Sequence, residues 1–496
     1  MRGNVLLVLT TLGCLLIAGC PGSSDPINSV SIAWACVDSQ NNLYIMGRFY
    51  RAFDFAADSS RDVHSSIGRY DRFVARYDSS NHLAWLYTWR GGTGYGQMQG
   101  PDNDYVKTMA VDPAGNLYLG GRQDCYVPPN PSSLPSRLSN EFFLTGSMPN
   151  QSNYIAKVNP DGSTAWANDW GGQTDLYLED MKIENSGDIL ALGQYTGEVD
   201  FDPGPGQEIA KAGVWRPGWD GNVDFFICRF KPDGTFMSVT NWADDVGVFA
   251  PTIVKLDSQD NRYLAGVAEH ELDVDPGPGE ALVKIDASEP SPGWMFYLTK
   301  QDRDGNFQWL ASWAPDGVVV HGIEDILIDQ SGNVYVAGEL MVLPGPHTAQ
   351  PIVRPGMEFA FVGFLLKFDP AGKLLWKREW GGGGSTQGAH VYSVSMGTGG
   401  DLDVMGSVSG TVDFDPGDGR SELTGSGITT YCQTRFTPDG DFIDARLLDS
   451  NADAIVINQS RWEIFGQVVN RKMTSSDLDS LRKARMPNAV LNRVNY

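Results

Sequence analysis

Seven glycines, Gly47, Gly121, Gly193, Gly266, Gly338, Gly406 and Gly466, each close a short apolar run, and they stand 74, 72, 73, 72, 68 and 60 residues apart. A period of that length, kept through the chain, means one supersecondary unit copied and stacked, because a lone unit of this size cannot bury both of its faces. The order of signals inside a copy is constant. A first run ends in Asp38, Asp112, Glu184, Asp257 or Asp329, and a turn such as Asp112-Pro113-Ala114-Gly115-Asn116 leads into the run that the glycine closes. Asp caps the bend and Gly supplies positive φ. After a longer segment comes a third run, for example Phe73-Val74-Ala75-Arg76-Tyr77, then a Pro-Asp-Gly turn as at Pro160, Pro232 and Pro438, then a fourth. Two hairpins, strands A with B and C with D, make each copy a four-stranded antiparallel sheet.

Sheets repeated radially pack face to face and leave only short edges. The expectation is therefore an all-β chain, a seven-bladed β-propeller of four-stranded antiparallel blades, with units at 32–92, 104–172, 178–245, 251–316, 323–384, 391–450 and 453–496. The last unit shows strands at 454–458, 462–469 and 489–494 and no fourth, so the last blade is expected to be incomplete. Residues 20–32 are barely long enough to donate the missing strand.

Two side-chain series accompany the repeat. Strand C carries a base at one position in every copy, Arg76, Lys157, Arg229, Lys300, Lys367, Arg435 and Arg493. A charge present in every unit serves the unit, by pairing with a neighbouring Asp or keeping a sheet edge soluble. Strand D carries Trp at i and i+4, in Trp85 with Trp89, Trp166 with Trp170, Trp309 with Trp313 and Trp376 with Trp380. An even step places both indoles on one face of a strand, and burial between sheets is the expected use of so much apolar surface.

Residues 329–338, 412–417 and 364–382 together resemble the SBBP-type bacterial β-propeller repeat: Asp-x-x-Gly-Asn-Val-Tyr-Val-x-Gly, Val-Asp-Phe-Asp-Pro-Gly, and an aromatic-x-x-Lys-Phe-Asp-Pro-x-Gly-x-x-x-Trp-x-x-x-Trp-Gly-Gly run. The resemblance extends from about residue 30 to the C-terminus and implies an envelope or extracellular propeller, with no family catalytic residues to carry over. Departures occur where Ser238 replaces the first Trp, where Ala314 follows Trp313, and where Asp444 and Leu448 replace the Trp pair.

The chain starts with one positive charge at Arg2 and an apolar run from Val5 to Ile17, too short to span as a mature helix, ending in Leu16-Ile17-Ala18-Gly19-Cys20. This reads as a lipoprotein signal over 1–19, with lipidation at Cys20 and a lipidated tether over 20–31. Pro21 in place of Asp favours the outer membrane. The alternative is an ordinary cleavage site beside a chance Cys. Cys36, Cys125, Cys228 and Cys432 have no CxxC spacing, so neither a metal nor an obligatory disulfide is expected. With 37 basic against 61 acidic residues the net charge is −24, which opposes binding to nucleic acid or an anionic lipid surface. The membrane contact expected is by lipid only, the chain a monomer.

Loop lengths are unequal. A-to-B and C-to-D turns are a few residues, whereas B-to-C and D-to-A segments are long and leave from the same end, so binding of a protein or glycan belongs there. That end carries Asp200-Phe201-Asp202-Pro203-Gly204, Asp273-Val274-Asp275-Pro276-Gly277 and Asp413-Phe414-Asp415-Pro416-Gly417, with Asp54 and Asp58 as a degraded copy. Alternation puts both carboxylates of a pair on one side, which suits Ca²⁺ as a cofactor stiffening the loops; the competing and favoured reading is an Asp-capped turn. Six histidines, His64, His82, His270, His321, His347 and His390, form no HxH or HExxH pattern. His321 and His390, with Glu324 and Asp325 near, are the residues that a metal or acid–base pair at a channel mouth would use. The segment 123–153 is the longest insertion, and 471–485 has a helical, blade-capping look. The functional expectation is a non-enzymatic binding or scaffold module of the envelope, the alternative a metal-dependent hydrolase or lyase.

Overall fold

In the computed structural model the chain is described over residues 29–58, 60–66, 70–90, 105–123, 152–170, 176–212, 224–242, 251, 253–268, 271–284, 295–313, 318–342, 360–381, 388–397, 399–448 and 467–469. The signal segment with Cys20, Cys125, His270, His347, the bulk of the 123–153 insertion and the 471–485 segment lie outside these residues.

Strands A to D of unit one are Ser29–Val37, Leu43–Tyr50, Asp71–Tyr77 and Leu83–Arg90. Those of unit two are Tyr105–Val111, Leu117–Gln123, Ser152–Val158 and Thr164–Trp170, and of unit three Leu176–Ile183, Ile189–Tyr195, Asp224–Phe230 and Phe236–Trp242. Unit four has Ile253–Leu256, Arg262–Ala268, Met295–Gln301 and Phe307–Trp313; unit five Val318–Ile328, Val334–Val342, Ala360–Phe368 and Leu374–Gly381. Unit six has Gly388–Met396, Leu402–Asp413, Glu422–Phe436 and Phe442–Leu447. All six are antiparallel meanders in the order A-B-C-D, and a single parallel bridge, Phe361 to Gly388, joins the sheets of units five and six.

Strand A of each unit lies against strand A of the next from unit one to unit six. The core is correspondingly divided among the seams. Tyr44, Met46 and Val74 of unit one pack on Met109, Leu117 and Leu119 of unit two, and Tyr335, Ala337 and Leu365 of unit five on Val391, Val394 and Val404 of unit six. Strand A slips by one residue in five units, between Ile32 and Trp34, Val106 and Thr108, Leu178 and Asp180, Ile323 and Asp325, and Val391 and Ser393. A bulge at a fixed place turns the strand and re-aims the side chains that follow it.

Four units begin earlier than expected, unit three by two residues at Leu176. Strand A of unit one starts at Ser29, so the last residues of the 20–31 tether belong to the sheet. Pairing is the reason: Ser29, Val30 and Ser31 oppose Tyr50, Phe49 and Arg48 on one side and Val469, Val468 and Gln467 on the other. Consequently Gln467–Val469, expected as the end of a strand B in the last blade, is a fifth strand on the strand A edge of unit one. Strand A of units five and six likewise starts earlier, at Val318 and Gly388, than the boundaries at 323 and 391.

The B-to-C segments are also more ordered than loops. They carry small hairpins, Ala52–Asp54 with Val63–Ser65, Glu198–Asp200 with Ile209–Lys211, and Leu272–Asp273 with Leu282–Val283, and in unit six the same ladder pairs Gly410 to Asp413 with Gly425 to Glu422. Cys36, Cys228 and Cys432 are free and buried, and burial raises each thiol, Cys432 to about 12. Among the described residues no helix is long and apolar enough to cross a membrane.

Candidate functional site

The repeated residues are spent on joints within and between units. In unit five Tyr335, Lys367 and Trp376 stand directly opposite one another on strands B, C and D. The Lys367 ammonium lies 5.2 Å from the Tyr335 ring centroid. Unit four repeats the row with Tyr263, Lys300 and Trp309, unit two with Tyr118, Lys157 and Trp166, and unit one with Tyr44, Arg76 and Trp85. In these four units the base therefore sits on an aromatic face, a contact favoured by the ring quadrupole, with Lys300 also 4.0 Å from Asp257; the Asp pairing expected as one of two uses is found in units three and six, at Arg229 with Asp188 and Arg435 with Asp444. The Asp of the A-to-B turn is already engaged: Asp329 accepts from the backbone N–H of Ser331 and Asn333, from Asn333 Nδ2, and from the Tyr335 hydroxyl.

Each indole then reaches forward. Trp85 Nε1 donates to Pro160 O at 3.1 Å, Trp166 to Pro232 O at 3.1 Å, Trp309 to Pro370 O at 3.0 Å and Trp376 to Pro438 O at 3.3 Å. The glycine of the receiving turn is required on two counts. At Gly372, φ is +82°, and a Cβ there would come within 2.6 Å of the Trp309 indole. Units three and six, which lack the Trp, substitute ions. Arg229 pairs with Glu184 at 2.8 Å, and Arg262 of unit four joins Glu184 at 3.3 Å while donating to Arg303 O. In unit six Arg435 binds Asp444, the residue at the Trp position.

The Asp-x-Asp-Pro-Gly residues form hairpin tips. Asp200 Oδ1 accepts from the N–H of Asp202 and Glu208, and Asp202 Oδ1 from Gly204 at 2.7 Å. Asp273 and Asp275 do the same for Asp275, Ala281 and Gly277, and Asp413 and Asp415 for Asp415, Ser421 and Gly417. A side chain on Gly206, Gly279 or Gly419 would collide with Oδ2 of Asp202, Asp275 or Asp415. The motif is thus read as a capped turn whose glycines leave room for the cap. Among the described residues no three His, Cys, Asp or Glu side chains converge as a metal site needs.

The histidines are distributed. His64 pairs with Asp62 at 2.9 Å, His82 with Asp78 at 3.3 Å, and the side chain of His321 lies outside the described set. His390, on strand A of unit six, does not meet Glu324 or Asp325. Its Nδ1 is 2.9 Å from Glu339 Oε2 of unit five, and its ring lies 4.5 Å from that of Phe361. Asp325 is withdrawn into the interior, where Lys255 Nζ at 2.9 Å and the N–H of Val394 bind it. It ends a buried row running across strands A: Thr108, Asp180 with Lys182 at 2.8 Å, Lys255, Asp325. Burial lowers Lys182 from 10.5 to about 8, with Asp180 opposing the shift. Of these residues only Asp325 was singled out in the sequence, and as a neighbour of the histidines; Glu339, Thr108, Asp180, Lys182 and Lys255 were not. The available signal was a charge inside an otherwise apolar strand, as in Leu176-Tyr177-Leu178-Glu179-Asp180-Met181-Lys182-Ile183.

No protein-family model and no curated protein matches the chain. Among solved structures it is similar to a protein of unknown function from Bacteroides caccae, at 12% identity and TM-score 0.25 over 62% of this chain and 89% of that one. It is similar to polysaccharide lyase Uly1, at 11% and 0.33 over 81% and 76%, and to the WD40 domain of SCAP from fission yeast, at 8% and 0.33 over 86% and 88%. Likenesses of this depth carry no argument about what the chain does.

Proposed function

We propose that the chain is a seven-bladed β-propeller of the SBBP type, tethered to the bacterial outer membrane through Cys20, that binds or scaffolds a partner on its loop-rich end without catalysis. The observation that carries this is the inequality of the two ends of the sheets. At one end every described A-to-B turn is closed by its own hydrogen bonds, as Gly332 N to Asp329 O, and every C-to-D turn likewise, as Gly372 N to Asp369 O. At the other, B-to-C connections run from 17 residues (343–359) to 28 (196–223) in units one to five. Variable segments on a rigid repeat are where recognition resides. A seventh unit between units six and one is part of this reading; what supports it is that strand A of each described unit lies against strand A of the next, and that unit one buries Phe49, Phe53, Phe55, Phe73 and Tyr77 in a cluster separate from the one it shares with unit two.

Two measurements test the proposal. Labelling with a lipid precursor marks the wild type and not Cys20→Ala, which leaves the membrane fraction; equal labelling refutes the tether. Replacing 124–150 by a short Gly-Ser linker abolishes capture of envelope glycans and proteins by the immobilised chain, whereas substitutions in the 231–235 turn do not. Capture that survives the replacement of every long B-to-C segment sinks the binding reading. A hydrolase or lyase at the mouth has one observation in its favour, the Glu339–His390 pair, which leaves Nε2 without a partner among the described residues. That reading requires turnover of a glycan or ester that His390→Gln removes.

A further inference from the structure

Arg48 differs from every base of the repeated series. Its side chain makes no hydrogen bond or ion pair with any described residue, in a chain with 61 acidic side chains. Its Nε is buried and has no hydrogen-bond partner among the described residues. The guanidinium carbon lies 5.7 Å from the Tyr50 ring centroid and 5.4 Å from that of Tyr70, so two aromatic faces hold the cation without neutralising it. Directly opposite Arg48 on strand C stands Arg72, and opposite Arg72 on strand D stands Trp89. At the equivalent position unit two also has an arginine, Arg122, whereas units three to six have Gln194, Val267, Glu339 and Ser407, so a base here is not a feature of every unit. By contrast Arg76, four residues beyond Arg72, donates to the Tyr44 hydroxyl at 3.0 Å.

The group lies at the loop-rich end. Arg48 precedes the B-to-C segment that begins at Arg51, and Arg72 follows it. A guanidinium offers a planar fork of donors that fits two oxygens of a carboxylate, sulfate or phosphate. We propose that Arg48 binds an oxyanion carried by the partner at the loop end of the seam between units one and two. The proposal rests on that end being the binding end. A net charge of −24 repels long polyanions, so the ligand carries few charges and is held at short range.

The test titrates the purified chain with inorganic sulfate, acetate and glucuronate, and with glucose as the uncharged control, following melting temperature and binding heat. The anions bind and glucose does not. Arg48→Gln weakens binding by about tenfold or more, with the circular dichroism and the melting curve without ligand unchanged. Glucuronate binding tighter than acetate and sulfate assigns the oxyanion to an acidic sugar, and equal binding of sulfate assigns a bare oxyanion site; both support the proposal. Arg76→Gln is the control and keeps anion binding. If Arg48→Gln fails to fold, Arg48→Lys, which keeps the charge without the fork, shows the weakened binding instead. Absence of binding by all three anions at on the order of 10 mM, or affinity unchanged in Arg48→Gln, overturns it. If the loop-replaced chain loses its envelope partner while Arg48→Gln keeps it and binds no anion differently, the binding end stands and the oxyanion site falls.

Discussion

Lys367 donates to the carbonyl oxygen of Pro438 at 2.9 Å, across the seam between units five and six. Trp376 Nε1 shares that oxygen, and Lys157 with Trp166 shares Pro232 O in the same way. One proline carbonyl thus anchors both an ammonium and an indole of the preceding unit, while the Tyr ring holds the ammonium from the other side. Trp376→Ala removes the indole, its hydrogen bond and its packing on Gly440, and lowers stability by about 2–4 kcal/mol, below the fully buried range because the ring is partly exposed. Lys367→Met keeps the stem and loses about 1 kcal/mol. Denaturant midpoints measure both; equal midpoints for wild type and Trp376→Ala would show that the joint contributes nothing.

The hairpin tips give a paired prediction. Gly206→Ala drives a methyl into the Asp202 carboxylate and destabilises by about 1–2 kcal/mol. Asp202→Ala loses the cap to Gly204 but clears the space, so the double variant is more stable than the sum of the two single changes. Strict additivity in the cycle refutes the steric account of the glycine.

Ca²⁺ has little to gain at these carboxylates, since Oδ1 of Asp200, Asp273 and Asp413 each accepts two backbone N–H groups. The melting temperature in millimolar Ca²⁺ equals that in chelator to within about 1 °C. A rise that Asp202→Asn and Asp275→Asn abolish would establish the metal.

Lys182 provides a pH dependence with a defined sign. Its folded value, about 8, lies below the ordinary 10.5 because burial disfavours the charge. Between those values the unfolded chain binds a proton that the folded chain does not, so this residue's contribution rises with pH through that window. The stability of the wild type relative to Lys182→Met therefore increases from pH 7 to pH 10. A difference that stays flat, or falls, contradicts the shift.

What repeats was legible in the sequence. The four-strand order, the Trp step and the base on strand C recur, so each copy checks the others, and Ser238 and Asp444 mark in advance the units whose joints are ionic. Residues that serve one seam only were not legible. Glu339 meets His390 from 51 positions away with no second instance to reveal the pairing, and Lys255 meets Asp325 from 70, whereas the equivalent Lys182 and Asp180 meet within one strand. The reach of Gln467–Val469 to Ser29 was hidden for a related reason, since alternation gives a strand its faces and not its neighbour. The role of the strand C base was half legible: its constancy pointed to the unit, but an aromatic partner two strands' breadth wide emerges only from register.

Every indole hydrogen bond described here runs from one unit to the next along the chain and never back. A head-to-tail contact keeps no record of how many copies follow it. Gain or loss of one whole module by recombination would leave each remaining donor facing an intact acceptor and change only the curvature of the assembly, which gives such a gene a route to new sizes without new chemistry.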